Sequence, residues 1–511
     1  LKKIIIQREQ WQARVAVVDN ENRLQDLYFE SRARPELEKC FFKGKVSKIL
    51  PGIQTAFVDI GQARSGFLHI TEVDRARSVE SSTEDLDGDV ADLDLPVETS
   101  GLIPKNQMDI SKIFKEGDSI LVQVIKEPVG EKGAKLSTCF TLPGKFIVLM
   151  PNISQIGVSR KIDDPAERER LKTIVTSYLP TGMGAIIRTT AENKSSENIT
   201  KDLAMLVSVW HSINKKLKSA EVGEKIHEDL PIPLRAVREH LDNDIEAVIC
   251  DSQDDFQGIQ RFIKYFMPDQ LHLLRLYTET IPAFEYFGVE KQVNPLLDKK
   301  VYLKSGGSLI IESTEAMTVI DVNTGKFIGK GSMENTILTT NLEAAEEVVR
   351  QLRLRNIGGL IVIDFIDMYK SSNRQKLSRF LEKELKERDK FQSVTLKVSE
   401  FGLVQMTRKR SGRTLVQNLT DECFQCKGNG FVKSAAADAY AVLSGVSRDI
   451  KKDIPNSRMT LSVGSRVYHY LLNTEFSAIL QIERLVGHKV ELSCNYHFEG
   501  SHYHLSKTTG S

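Results

Sequence analysis

Residues 318–330 read TVIDVNTGKFIGK, an apolar strand that ends in a carboxylate, an amide and a glycine-punctuated loop. Alternation along this strand puts Met317, Val319, Asp321 and Asn323 on one face. Another Val would pack more cheaply than Asp321, because burying a carboxylate is unfavourable unless a cation or hydrogen bonds satisfy it. Upstream, GGSLIIEST predicts a hairpin, with strands over 308–313 and 316–323. Downstream, Leu338, Leu342, Ala345, Val349 and Leu352 recur at spacings of four and three, which predicts an amphipathic helix ended by Gly358 and Gly359. LIVIDFIDM then reads as a central buried strand terminating in Asp364 and Asp367. Two strands flanking one helix thus each finish in carboxylates.

Neighbouring strand ends would bring Asp321 and Asp364 within reach of one ion, with the amide oxygen of Asn323 beside them. Hard oxygen ligands of this kind suit Mg²⁺, especially where the ion also meets phosphate. No His occurs between His272 and His469, so this segment holds neither an imidazole base nor a His-rich zinc centre. Metal-activated water attacking phosphorus is the chemistry the pattern predicts. Simple turn capping by the same Asp residues is the alternative, and the repeated pattern argues against it.

The rest of the chain frames this centre. At 511 residues it is too long for one core. A hydrophobic content of 41% and a charged content of 27% describe a soluble globular protein. A net charge of +1 requires any phosphate binding to use local patches. The opening LKKIIIQREQW has only three consecutive apolar residues, too few for a signal-peptide core, and no run approaches the roughly 18 needed to span a bilayer. The six cysteines are scattered, apart from Cys423 and Cys426, which points to a reduced, cytoplasmic protein.

Residues 37–140 predict five short strands in an OB-type barrel. Phe57, Phe67 and Lys132 could make an aromatic-plus-basic platform for unpaired bases, or the two Phe could belong to the barrel core. Residues 78–99, acidic and without Lys or Arg, read as a disordered insert. Residues 141–232 predict a separate α/β unit whose helix starts at Asp164 and Pro165. In it, Arg188 and Thr189 end a strand, as a phosphate clamp would need. Residues 233–296 are mixed and could complete a fold begun by residues 1–36. After the 297–418 segment that holds the two carboxylates, Arg408, Lys409, Arg410 and Arg413 form a basic cluster suited to backbone phosphates. Cys423 and Cys426 have zinc-knuckle spacing but supply only two of about four ligands. Either a second protomer completes a shared Cys₄ site, or these are two free thiols.

AMTVIDVNTGKF, TNLEAAEEVVRQLRLRNIGGLIVIDFIDM, FGLVQMTRKR and CFQCKGNG, in that order, resemble the signatures of the ribonuclease E/G endoribonucleases. With no long tail after the Cys pair, the likeness is to the shorter ribonuclease G type. The resemblance implies an RNase H-like domain (1–36 and 233–296) holding an inserted S1-type OB barrel (37–140). A 5′-sensor (141–232), a DNase I-like catalytic domain (297–418), a zinc link (419–432) and a small C-terminal α/β domain (433–511) would follow. It further implies that Asp321 and Asp364 hold Mg²⁺ with Asn323 beside them, and that Cys423 and Cys426 share Zn²⁺ with a second chain in a homodimer, paired again into a homotetramer. Arg188 and Thr189 would grip a 5′-monophosphate, completed by backbone near Gly144 and Val148, and Phe57, Phe67 and Lys132 would contact RNA. The expected activity is cleavage of single-stranded RNA to 5′-phosphate and 3′-hydroxyl ends, in rRNA and tRNA processing and mRNA decay. A non-catalytic RNA-binding scaffold is the alternative.

Overall fold

A computed structural model describes residues 1–33, 36–73, 109–128, 132–159, 161–242, 244–325, 333–409, 412–452 and 458–507. The acidic stretch 78–99 and Arg410 lie outside the described residues. The chain divides into two compact units, Leu1–Leu419 and Thr420–Ser511.

In the first unit, the chain start folds with a segment far along it. Lys2–Arg8, Gln12–Asp19 and Leu24–Ser31 form an antiparallel meander, and Ile245–Cys250 then Leu274–Leu276 add parallel to its first strand. Ile4, Ile5 and Ile6 are all fully buried, because both faces of this sheet are covered. Ile4 and Ile6 pack towards Val237 and Ile259, and Ile5 towards Ala283 and Phe284.

A closed five-strand barrel sits between these two segments. Its strands are Phe41–Leu50, Thr55–Asp59, Gly66–His69, Ser119–Lys126 and Lys135–Ser137, closed by pairing of the first with Ser119–Lys126. Val46, Val58, Leu68, Val122 and Leu136 fill it. The strand Lys225–His227 also joins the barrel sheet, through Phe41 and Phe42, although the sequence groups it with residues 141–232.

Within 141–232, a four-stranded sheet runs in the order Ile156–Val158, Gly184–Ile187, Ile147–Met150, Leu142–Pro143, beside the helices Pro165–Tyr178 and Ser196–Ser219. Asp164 caps the first helix by accepting from the Ala166 N–H at 3.0 Å, as its sequence predicts.

The segment from 297 builds a six-stranded sheet ordered Lys300–Tyr302, Ser308–Ser313, Met317–Asn323, Gly359–Asp364, Leu403–Arg408, Ser393–Thr395. Only Met317–Asn323 and Gly359–Asp364 run parallel, as two strands joined through the helix Met333–Leu354 must. That helix and Ser371–Arg388 cover one face, where Ile320, Val322, Ile361 and Ile363 meet Val349, Leu352, Leu377 and Leu381. The opposite face, carrying Val319, Asp321, Val362 and Asp364, is half-exposed or exposed. The Gly359 strand stops at Asp364, and Asp367 lies beyond it in the following loop.

The second unit is a three-stranded sheet with Met459–Val463 at its centre, parallel to Val490–Cys494 and antiparallel to Tyr503–Lys507. Ala435–Lys452, Ser465–Asn473 and Phe476–Val486 are its helices, and Val442, Val446, Leu461, Leu471 and Ile482 its core. Among the described residues no helix is long and apolar enough to cross a membrane.

Candidate functional site

In the parallel pair, Asp321 stands directly opposite Asp364. Neighbouring strands lie about 4.8 Å apart, so two in-register carboxylates share one small patch of the open face. Asp321 is half-buried and Asp364 exposed, so the buried strand end expected from the sequence is in fact an open one. The reason is that only one face of the sheet is covered, and the carboxylates are on the other. Asn323 donates from its amide nitrogen to Asp321 Oδ2 at 2.8 Å and fixes that carboxylate. Partial burial, Asp321 and Asp367 together push the Asp364 carboxyl above its ordinary value. Among the described residues no Lys or Arg pairs with Asp321, Asp364 or Asp367. A cluster of like charges without a counter-cation among the described residues, made only of hard oxygen donors, fits a divalent ion of the Mg²⁺ type.

On the barrel, Phe57 and Phe67 are cross-strand neighbours, half-exposed, on the side away from the core formed by Ala56, Val58 and Leu68. The structure therefore removes the reading of both rings as core. Lys48 stands opposite Phe57 and Lys135 opposite Phe67, giving a row of cation, ring, ring, cation across four strands. Neither lysine stands out in the sequence, because register across strands is not visible in one strand. Lys135 is also bonded to Glu72 at 2.8 Å. Lys132 is exposed just before the Lys135–Ser137 strand.

The phosphate-clamp residues are arranged differently from the expectation. Arg188 is 6% exposed, donates to the carbonyl of Gly144 at 2.8 Å and forms an ion pair with Glu239. Thr189 follows it, half-buried, and Val148 lies in the adjoining strand. The backbone after Gly144 is already engaged. Asp202 accepts from the N–H groups of Lys145, Phe146 and Ile147 at 3.2, 2.7 and 3.0 Å. Gly144 is glycine because a Cβ would stand 2.5 Å from that carboxylate. Its part is thus to admit Asp202, and these three amides are not available to a ligand.

Arg408 also departs from the sequence reading. It is 1% exposed, bonded through two nitrogens to the equally buried Asp389 at 2.6 and 2.9 Å, and lies over the Phe391 ring. It is an internal tie and cannot hold an external phosphate.

In the second unit, Cys423 is exposed and Cys426 half-buried in a turn where Lys427, Gly428 and Gly430 take positive φ. Hydrogen bonds from the Cys426 and Gln425 backbone and from the Cys426 side chain hold the Cys423 thiol below its ordinary value. A thiol biased towards thiolate, with a second thiol beside it, suits Zn²⁺. Among the described residues no group of three or more His, Cys, Asp or Glu forms a metal cage.

Known proteins resemble the chain along most of its length. The family model described as "Ribonuclease E/G family" matches residues 141–411, and that described as "RNase E/G, Thioredoxin-like domain" matches 422–508. The second match takes in the Cys pair together with the C-terminal sheet. Ribonuclease G of Escherichia coli (strain K12) is 35% identical over 481 residues, covering 94% of each chain. Ribonuclease G of Haemophilus influenzae is 36% identical over 482 residues, again covering 94% of each. Ribonuclease E of Escherichia coli (strain K12) is 33% identical over 509 residues, which cover 99% of this chain and 46% of that one. The chain belongs to the ribonuclease E/G family, and its likeness to the ribonuclease G members runs along nearly their whole length.

Proposed function

We propose that the protein is a Mg²⁺-dependent endoribonuclease that hydrolyses single-stranded RNA to 5′-phosphate and 3′-hydroxyl ends. The in-register pairing of Asp321 with Asp364 on an open sheet face, without a protein cation among the described residues, is the observation that carries this reading. Asp321 and Asp364 would hold the ion, which supplies charge stabilisation at the phosphate and an activated water. Asn323 fixes the Asp321 carboxylate by donating to it. Phe57 and Phe67 hold the strand by stacking, and the flanking lysines with Lys132 follow its backbone. That preference for unpaired bases, together with the likeness to ribonucleases, favours single-stranded RNA as the substrate.

The five-stranded sheet is assigned as the RNase H-like domain, the barrel as its S1-type insertion, residues 141–232 as a 5′-sensor and the six-stranded sheet as the DNase I-like catalytic domain. Arg188 and Thr189, beside Val148, read a 5′-monophosphate in competition with Glu239. Cys423 and Cys426 hold half of a structural Zn²⁺ site completed by a second chain, giving homodimers that pair into a homotetramer. The cellular role assigned is rRNA and tRNA processing and mRNA decay in the cytoplasm.

The test is cleavage of labelled single-stranded RNA and DNA with Mg²⁺ or EDTA, by wild type and by Asp321→Asn and Asp364→Asn. Each substitution should abolish cleavage and leave RNA affinity within a few-fold, because binding comes from contacts remote from the ion. Wild-type turnover by both variants at saturating Mg²⁺ would remove the two-carboxylate site. Binding without turnover by the wild type would make the protein a scaffold.

A further inference from the structure

Two loops border the strand end where Asp364 stands. Residues 365–370 follow it, carrying Asp367, and lead into the helix Ser371–Arg388. Residues 399–402 lead into the strand Leu403–Arg408, whose first residue is paired with Asp364. Each loop presents one aromatic ring to solvent: Tyr369 is 89% exposed and Phe401 76%. Single exposed rings scattered over a surface are ordinary. These two sit on the two loops that frame one carboxylate cluster.

Both loops are pinned although their rings are not buried. Asn341, fully buried on Met333–Leu354, accepts from the Ile366 N–H at 3.1 Å and donates to the Ile366 carbonyl at 2.8 Å. Glu334 accepts from the Lys370 N–H at 3.0 Å, and Arg374 donates to the carbonyls of Met368 and Tyr369 at 2.6 and 3.2 Å. The second loop is tied to the first at Gly402, whose carbonyl accepts from the Phe365 N–H at 3.3 Å. Gly402 takes a φ of +75°, and a Cβ there would stand 2.4 Å from the Phe365 carbonyl oxygen and 3.3 Å from Asp367 Oδ1. Only glycine permits this approach. It sets Phe401, the preceding residue, beside Asp367, and Tyr369 follows Asp367 by two residues. The rings are therefore carried on fixed backbone, and a flat ligand meeting them pays little to order the loops.

We propose that Tyr369 and Phe401 form a second base-stacking platform, which holds the two unpaired bases flanking the scissile phosphate beside Asp321 and Asp364. The proposal rests on the carboxylate pair being the cleavage site. Every nucleobase offers a π-face, so the platform tolerates any sequence while fixing the position of the phosphate between the two bases. Phe57 and Phe67 on the barrel supply affinity along the strand, whereas Tyr369 and Phe401 act where the bond breaks. Bases inside a duplex are stacked on one another and cannot be splayed onto the two rings. The platform thus selects unpaired RNA at the cut itself.

Two measurements on the full chain test this. The first reads contact and needs no cleavage. Single-stranded RNA carrying 4-thiouridine at successive positions is irradiated with the protein, in EDTA and in Ca²⁺, and cross-links are located by mass spectrometry. Tyr369 and Phe401 should cross-link from neighbouring nucleotides, and their absence from every position in both conditions overturns the proposal. The second is single-turnover cleavage with Mg²⁺ of RNA in which each base flanking the cut is replaced in turn by an abasic residue. Both side chains are largely exposed, so Tyr369→Ala and Phe401→Ala should leave the fold intact. Each should slow cleavage of intact RNA by about tenfold, and Tyr369→Trp should recover the rate. Loss of one flanking base should slow the wild type by a similar factor and slow the variant lacking its ring no further. Wild-type rates in both variants, or losses that multiply for every pairing of base and ring, overturn the proposal. A wild type that does not cleave would remove the carboxylate reading, and the cross-links would then decide the platform on their own.

Discussion

Replacing Gly144 with alanine should destabilise the turn that leads into the Ile147–Met150 strand by roughly 3–5 kcal/mol. The new Cβ would stand 2.5 and 2.6 Å from the two carboxylate oxygens of Asp202, where ordinary contact starts at 3.4 Å. Asp202 must therefore retreat by about 0.9 Å (3.4 − 2.5). Its bonds from Phe146, Ile147 and Lys145 are now 2.7, 3.0 and 3.2 Å, and a retreat of that size carries them to or beyond the edge of hydrogen bonding. A hydrogen bond to a charged group contributes ~1.5–3 kcal/mol, and this carboxylate is fully buried, so losing two accounts for the figure. The assay is hydrogen exchange at the Phe146 and Ile147 amides, which reads local opening without requiring the whole chain to unfold in two states. Asp202→Ala vacates the space, so adding Gly144→Ala to that background should cost under ~1 kcal/mol. An equal cost in both backgrounds would refute the reasoning, because the clash would then not be with Asp202.

Lys145 gives a pH signature. Burial depresses its ammonium to about 8 in the folded chain. Between about pH 8 and 10.5 the unfolded chain holds a proton that the folded chain has lost, so stability should rise with pH by up to ~3 kcal/mol, and urea unfolding of Lys145→Met should lack that slope. Phe57→Ala and Phe67→Ala should each weaken binding of a short single-stranded RNA by about tenfold or more in fluorescence anisotropy, whereas Lys132→Ala should mainly lower the salt dependence. Replacing Cys423 and Cys426 with Ser should release zinc and lower the oligomeric state. Elemental analysis with light scattering checks this, and one zinc per chain would rule out the shared half-site.

The strand–helix–strand around Asp321 and Asp364 was legible because each element there has one strong periodicity, and a helix crossover between adjacent strands leaves little choice but parallel pairing. Alternation alone separated Phe57 from Val58 and Ile60. What sequence could not show was which charge finds which partner. Arg408 ends a strand in TRKR and reads as solvent-facing. It is buried because Asp389, at the end of the preceding helix, meets it. Arg188 likewise has its anion, Glu239, on a helix 51 residues away. The openness of the carboxylate site was missed for a related reason. A half-covered sheet face and a fully covered one look alike when the exposed positions are Val319 and Val362.

The five-stranded sheet, finally, has a consequence for how the chain is made. The backbone N–H of Arg8 is bonded to Asp251, 243 residues further on. At about 5–20 residues per second, a growing chain must wait roughly 10–50 s before that partner emerges. Through that interval the Ile4–Ile6 strand presents an unpaired edge made of residues that end fully buried, with the entire barrel synthesised meanwhile. An apolar edge held open that long is a template for pairing with another nascent chain. The barrel, whose core comes entirely from residues 40–136, can close before Ile245–Cys250 arrives and leaves the sheet as the last part of its region to be completed.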